Sequence, residues 1–187
     1  MEDKKIQGFL HLERNLEAMI YEGIVKIGYV KGEKQSIYYD YDLLVYLLNI
    51  EQEQENIKMD IMPRLREFQT FVLKNWGKIG IEIENHRYKF NLPGGTIDHI
   101  YEKNKDNLFL SDLIGALSVK DCTLDNIMSV FYKYSQDIVC EESKNPEFNY
   151  VIYFKDTNID EFKYCFTFGE MGKYYHRLTP FDYERLD

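Results

Sequence analysis

The sequence predicts an α+β chain: N-terminal and central helices packed on a C-terminal four-stranded antiparallel meander, with an extra β-hairpin near residues 80–91. Three observations carry this. Apolar residues recur at three- and four-residue spacing through most of the first two thirds of the chain. The last fifty residues form runs rich in Val, Ile, Tyr and Phe in which apolar and polar positions alternate. The connections between those runs are too short for the crossovers that parallel strands need. Helices first and strands last is the segregated order of an α+β fold.

The elements follow in order. Ile6, Phe9, Leu10, Leu16, Met19, Ile20, Ile24 and Ile27 place an apolar face on a first helix. Gly8 and Gly23 weaken it by about 1 kcal/mol each relative to Ala. Gly28 and Lys31-Gly32-Glu33 end it. Gln35-Ser36-Ile37-Tyr38-Tyr39 reads as a strand, and Asp40 then caps a helix over 41–49. Met62, Leu65, Phe68, Phe71, Val72 and Trp76 mark a second long helix. It starts near Asp60 or Ile61, because Pro63 fits only its first turn, and it ends at Gly77. Ile81 and Ile83 alternate with Glu82 and Glu84, and Tyr88 and Phe90 with Lys89 and Asn91, so Asn85-His86-Arg87 links a hairpin. Thr96 caps a short helix over 97–103, a further helix runs from Asn107 through Leu117, and Thr123 caps one carrying Leu124, Ile127, Met128, Phe131 and Tyr134.

The meander runs are 136–141, 148–155, 161–168 and 173–178. In the third, Phe162, Tyr164, Phe166 and Phe168 share one face; Lys163, Cys165 and Thr167 share the other, which is expected to be wet. Thr179-Pro180 starts a terminal helical turn. No repeat divides the chain, so 1–187 reads as a single domain. The alternative division is a helical part, 1–78, and a part of hairpin, helices and sheet, 79–187.

Composition narrows the function classes. The 187 residues are 44% hydrophobic and 29% charged, an ordinary globular balance. Lys and Arg total 23 against 32 Asp and Glu, a formal charge of -9, which argues against nucleic acid as a partner. The densest acidic block, from Asp40 to Asp60, includes Glu51-Gln52-Glu53-Gln54-Glu55 and reads as a solvated helix face or connector. Aromatics reach 16%. Ala stands only at Ala18 and Ala116, while Ile, Lys, Asn, Tyr and Phe abound, so AT-rich coding accounts for much of the tyrosine. No signal-peptide core and no apolar run of membrane-spanning length is visible. Cys122, Cys140 and Cys165 are odd in number and far apart, which fits reduced thiols in a cytoplasm; a Cys140–Cys165 bridge stays open.

Two stretches carry a resemblance. Lys26-Ile27-Gly28-Tyr29 followed by Gln35-Ser36-Ile37-Tyr38-Tyr39, and Tyr175-His176-Arg177-Leu178-Thr179-Pro180-Phe181-Asp182-Tyr183 after the meander, resemble a family of uncharacterised Firmicutes proteins, a domain of unknown function. The resemblance implies a bacterial cytoplasmic setting. It implies no activity and carries no catalytic residue.

The known chemical constellations are missing. There is no phosphate-loop or dinucleotide glycine pattern, no paired-His or paired-Cys metal spacing and no nucleophile elbow. No cofactor and no metal is expected. Pro93-Gly94-Gly95-Thr96 joins a strand to a helix, where backbone N–H groups suit an anion. Ile97 and Asp98 stand where a phosphate loop needs Lys, so the stretch reads as a hairpin exit and helix cap. Cys122 precedes a helix, but Asp121 and Asp125 oppose a lowered thiol pKa.

The candidate ligand site is Tyr175, His176 and Arg177 on the last strand, with Tyr39, Asp98 and His99 opposite. Arg suits carboxylate or phosphate pairing. The bland reading of Arg177 is an edge-strand residue paired with a neighbouring acid. The expected function is a cytoplasmic protein that binds a protein partner or itself, without catalysis, the acidic surface meeting a basic partner. The alternative is an enzyme or small-ligand binder with a polar pocket around His176 and Arg177.

Overall fold

The computed structural model describes residues 2–51, 58–169 and 172–186, which form two compact units, residues 1–106 and 107–187. The structure is α+β, with two antiparallel sheets. Of the acidic run at 51–55 only Glu51 falls among the described residues.

In the first unit, α1 (Glu2–Ile27) is followed by β1 (Gln35–Tyr39), α2 (Tyr41–Leu47), α3 (Met62–Trp76), β2 (Gly80–Glu84), β3 (Arg87–Leu92) and α4 (Gly94–Asn104). The hairpin forms as expected, with a tighter turn. Asn85 and His86 alone connect the strands, with φ of 52° and 64°, the two positive values that match strand twist in a two-residue hairpin. The first strand then adds to its far side, giving the order β1-β3-β2, with Ser36 opposite Asn91 and Tyr39 opposite Tyr88.

The inner face of this sheet (Tyr39, Tyr88, Phe90, Leu92) meets the helices in one core with Leu12, Leu16 and Ile20 of α1, Leu44 and Leu47 of α2, and Leu65, Phe68 and Val72 of α3. Each such side chain contributes about 1.5–3 kcal/mol on burial. The buried row on α1 is Phe9, Leu12, Leu16, Ile20 and Ile24; Ile6, Leu10, Met19 and Ile27 are exposed, as is Phe71 on α3. Several apolar stripes satisfy a helical period, and the neighbouring elements chose among them. Gly8 is no weak point: a β-carbon there would lie 2.3 Å from the Leu48 carbonyl oxygen, so its bareness lets α1 close on the end of α2. Glu17, almost fully buried, accepts Lys103 Nζ at 2.7 Å and ties α1 to α4.

Two expected caps do different work. Asp40 stands at the N-cap of α2, but its carboxylate makes no capping bond and accepts Arg87 Nε at 2.9 Å. Thr96 lies inside α4, which starts earlier, after Pro93; its buried hydroxyl donates to the Trp76 carbonyl. Pro93 is the N-cap, with φ of -69° and an extended ψ of 157°, and its carbonyl accepts the Thr96 N–H, so the helix begins at Gly94.

In the second unit, α5 (Phe109–Leu117) and α6 (Leu124–Tyr134) precede the meander β4 (Ile138–Glu142), β5 (Tyr150–Phe154), β6 (Lys163–Gly169) and β7 (Gly172–Leu178), which ends in α7 (Pro180–Glu184). Strand order follows chain order, all antiparallel. Thr123 caps α6 in a reciprocal pair with Asn126, and Thr179 caps α7 by accepting the Asp182 N–H. Phe109 and Phe131 pack edge-on against Tyr164, their centroids 5.6 and 5.5 Å away, and both rings lie against Phe154.

The opposite face of this sheet is covered at its centre, although Glu141, Tyr174 and His176 on it are exposed. Val151 and Cys165, which face each other there, have no exposed surface. Lys163 reaches over the Tyr153 ring and over Tyr183 of α7, 4.7 and 4.2 Å from the centroids, and α7 packs on β7. The terminal helix thus brings an aromatic ring over Lys163, a contact that strand alternation does not reveal. Cys140 pairs opposite Ile152 and Cys165 opposite Val151, on opposite sheet faces, so no bridge joins them; all three thiols are free.

Candidate functional site

Tyr39, Asp98 and His99 belong to the first unit. Tyr39 is buried beside Phe90, and its hydroxyl donates to Asn15 Oδ1 at 2.6 Å, so it is part of the core. Asp98 is near the start of α4. Its Oδ1 accepts the Tyr29 hydroxyl at 2.7 Å and the Gly32 N–H at 2.8 Å, fastening the loop between α1 and β1 onto the helix. The Gly32 N–H and then the Tyr29 hydroxyl hold the Asp98 carboxyl below its ordinary value. Tyr29 in turn stacks flat on Tyr101, centroids 3.8 Å apart. His99, next on the helix, is exposed.

Tyr175, His176 and Arg177 belong to the second unit, on the edge strand β7. The faces alternate as the strand period requires: Tyr174 and His176 are exposed, Tyr175 and Arg177 turn inward. His176 sits near Phe148 and Tyr174. Arg177 has the acidic partner that the bland reading asks for. Its Nη2 donates to Asp160 Oδ2 at 3.1 Å, and the two side chains are only 6% and 9% exposed. The guanidinium lies 3.9 Å above the Phe162 ring centroid. Asp160 also accepts the Tyr164 hydroxyl and the Phe162 N–H, both at 2.8 Å. Burial raises the Asp160 carboxyl above its ordinary value, against the pull of Arg177 and these donors. An inward-pointing charge on an edge strand also discourages sheet-to-sheet pairing.

A third feature is concave. A groove of about 310 Å³ in the first unit is lined by Lys34, Gln35, Ser36, Lys78, Asn91, Leu92 and Pro93. Pairing of Ser36 with Asn91 and of Gly80 with Asn91 draws the ends of three strands together here. The Ser36 hydroxyl donates to Asn91 Oδ1, and Asn91 Nδ2 to Glu82, each at 2.8 Å. Neither Lys34 nor Lys78 has an acidic partner among the described residues. No residue spacing marks this groove in the sequence, since its lining comes from three separate segments.

These features define a class: an α+β protein of two units, each a helix-backed antiparallel sheet. Among the described residues no helix is long and apolar enough to cross a membrane, and no three His, Cys, Asp or Glu side chains are placed to hold a metal ion. The chain belongs to the DUF3877 family, a domain of unknown function described after an E. rectale gene, whose family model matches residues 9–187. Neither a curated protein nor a solved structure was found to match it.

Proposed function

We propose that this chain is a bacterial, cytoplasmic binding protein without catalytic activity, and that its second unit docks a basic protein. The observation that carries this is the placement of charge. Residues 107–187 hold fourteen acids and eight bases, a larger excess than in the longer first unit. Lys133, Lys155 and Arg177 pair with Asp112, Asp137 and Asp160 of the same unit. Glu141 and Glu142 at the end of the edge strand β4, and Glu147 on the loop after it, are exposed and have no basic partner among the described residues. Exposed carboxylates on a unit with this acid excess steer a basic surface and reject acidic ones. A pocket around His176 and Arg177 is supported less well, because the Arg177 guanidinium is taken up by Asp160 and two aromatic rings.

The test is affinity purification from the cell of origin with the tagged chain and its Glu141→Gln/Glu142→Gln/Glu147→Gln variant, at low and high salt. The expected result is a basic protein held by the parent chain, lost in the variant and lost as salt shortens the screening length to a few ångströms. The same proteins in both samples, or a partner indifferent to salt, would overturn the proposal. So would a salt-independent homo-oligomer as the sole complex.

A further inference from the structure

We propose that the groove at Lys34 and Lys78 binds a small molecule through an oxyanion, a phosphate or carboxylate group. Three segments converge there: the start of β1, the link between α3 and β2, and the junction of β3 with α4. Two cations 44 positions apart in the chain reach one concavity with no acid among the described residues paired to either. Gln35 and the second Nδ2 hydrogen of Asn91 add amide donors, the Ser36 hydroxyl being given to Asn91, and Leu92 and Pro93 add a short apolar wall. A cavity of this size is in the range of small-molecule sites. Two lysines in a chain of charge -9 are too few for a polynucleotide backbone.

The walls of the groove are held in place. Gly94 opens α4 against Gly32, whose carbonyl oxygen would be 2.2 Å from any β-carbon at that position. Asp98 binds the Gly32 N–H and the Tyr29 hydroxyl, so the loop leading to Lys34 is fixed to the same helix. Such fixing lowers the ordering cost of binding. Pro93, the last residue of the lining, is the N-cap of α4, so the groove ends where this fixed helix begins.

The experiment is an amide-resolved NMR titration of the full chain with sodium phosphate and, separately, sodium acetate, against sodium chloride at matched ionic strength. Saturable shifts at Gln35, Ser36 and Asn91 are expected with at least one of the two anions, and the one that saturates names the group recognised. Lys34→Gln/Lys78→Gln should weaken binding about tenfold or more, a loss of about 1.4 kcal/mol, with an otherwise unchanged spectrum because both side chains are exposed. Lys74→Gln, an exposed lysine elsewhere on the unit, should change nothing. Shifts that grow without saturating, that chloride reproduces, or that survive in the double variant overturn the proposal.

Discussion

Asp98 and Tyr29, 69 residues apart in the chain, share a 2.7 Å hydrogen bond that fastens the loop between α1 and β1 to helix α4. The bond moves both groups away from their ordinary titration. The Tyr29 hydroxyl, donated to Asp98, is pushed up to about 12, and the Asp98 carboxyl is held below 3.8.

The pH dependence follows with a definite sign. Asp98 has a depressed folded-state pKa, so its contribution is present above the unfolded value and lost as pH falls through the folded one. Tyr29 has a raised pKa, so its contribution is present below 10.0 and lost as pH rises toward 12. The loop should therefore be fastened across the neutral range and released at both extremes. In Asp98→Asn, the Tyr29 ring resonances are expected to titrate markedly nearer 10 than in the parent chain. An unmoved Tyr29 titration would mean that the bond does not set its pKa.

Gly8 and Gly23 lie in the same helix and should respond oppositely to alanine. A methyl group at position 8 would collide with the Leu48 backbone, whereas one at position 23 meets nothing within 4 Å. Gly8→Ala is expected to lose about 1–3 kcal/mol as an overpacked contact. Gly23→Ala should gain up to about 1 kcal/mol from helix propensity. Urea unfolding of the two variants decides it, and equal effects would show that α1 is not seated on α2 as described.

The Asp160–Arg177 pair should behave as a buried charge pair whose halves cannot be removed singly. Asp160→Asn or Arg177→Met is expected to cost about 3–5 kcal/mol by stranding the partner, and the double variant to recover much of that. Because burial raises the Asp160 pKa, the folded state holds its proton longer, and this residue's contribution falls as pH rises through its unfolded value. Arg177→Met removes an opposing attraction, so the Asp160 carboxyl resonance should titrate higher still. Additive single effects would rule out the coupling.

Local signals were legible at particular places. Thr123 before Leu124 and Asn126 signals a cap that forms, and Thr179-Pro180 another. Phe162, Tyr164 and Phe166 are buried as their spacing implies. The readings that changed involve partners far away in the chain. Asp40 finds Arg87 and not its own helix, Thr96 finds Trp76, and Cys165 is covered although its strand alternates. Of the candidate ligand residues, Arg177 could be recognised as an edge-strand pairing residue, but Asp160 as its partner needed the β6–β7 register that places Arg177 opposite Tyr164.

The sequence by itself determined the α+β class, the helix and strand order, the meander, the hairpin and the acid excess. These follow from periodicity and turn chemistry over a few neighbouring residues, where backbone geometry leaves few choices. Tertiary structure alone decided which apolar stripe of α1 is buried, that β1 joins the hairpin, and that Lys34, Lys78 and Pro93 line one groove. The two lysines stand 44 positions apart in the chain, and only folding brings them to one groove. Contacts between distant segments depend on how faces pack, and no local window contains that information.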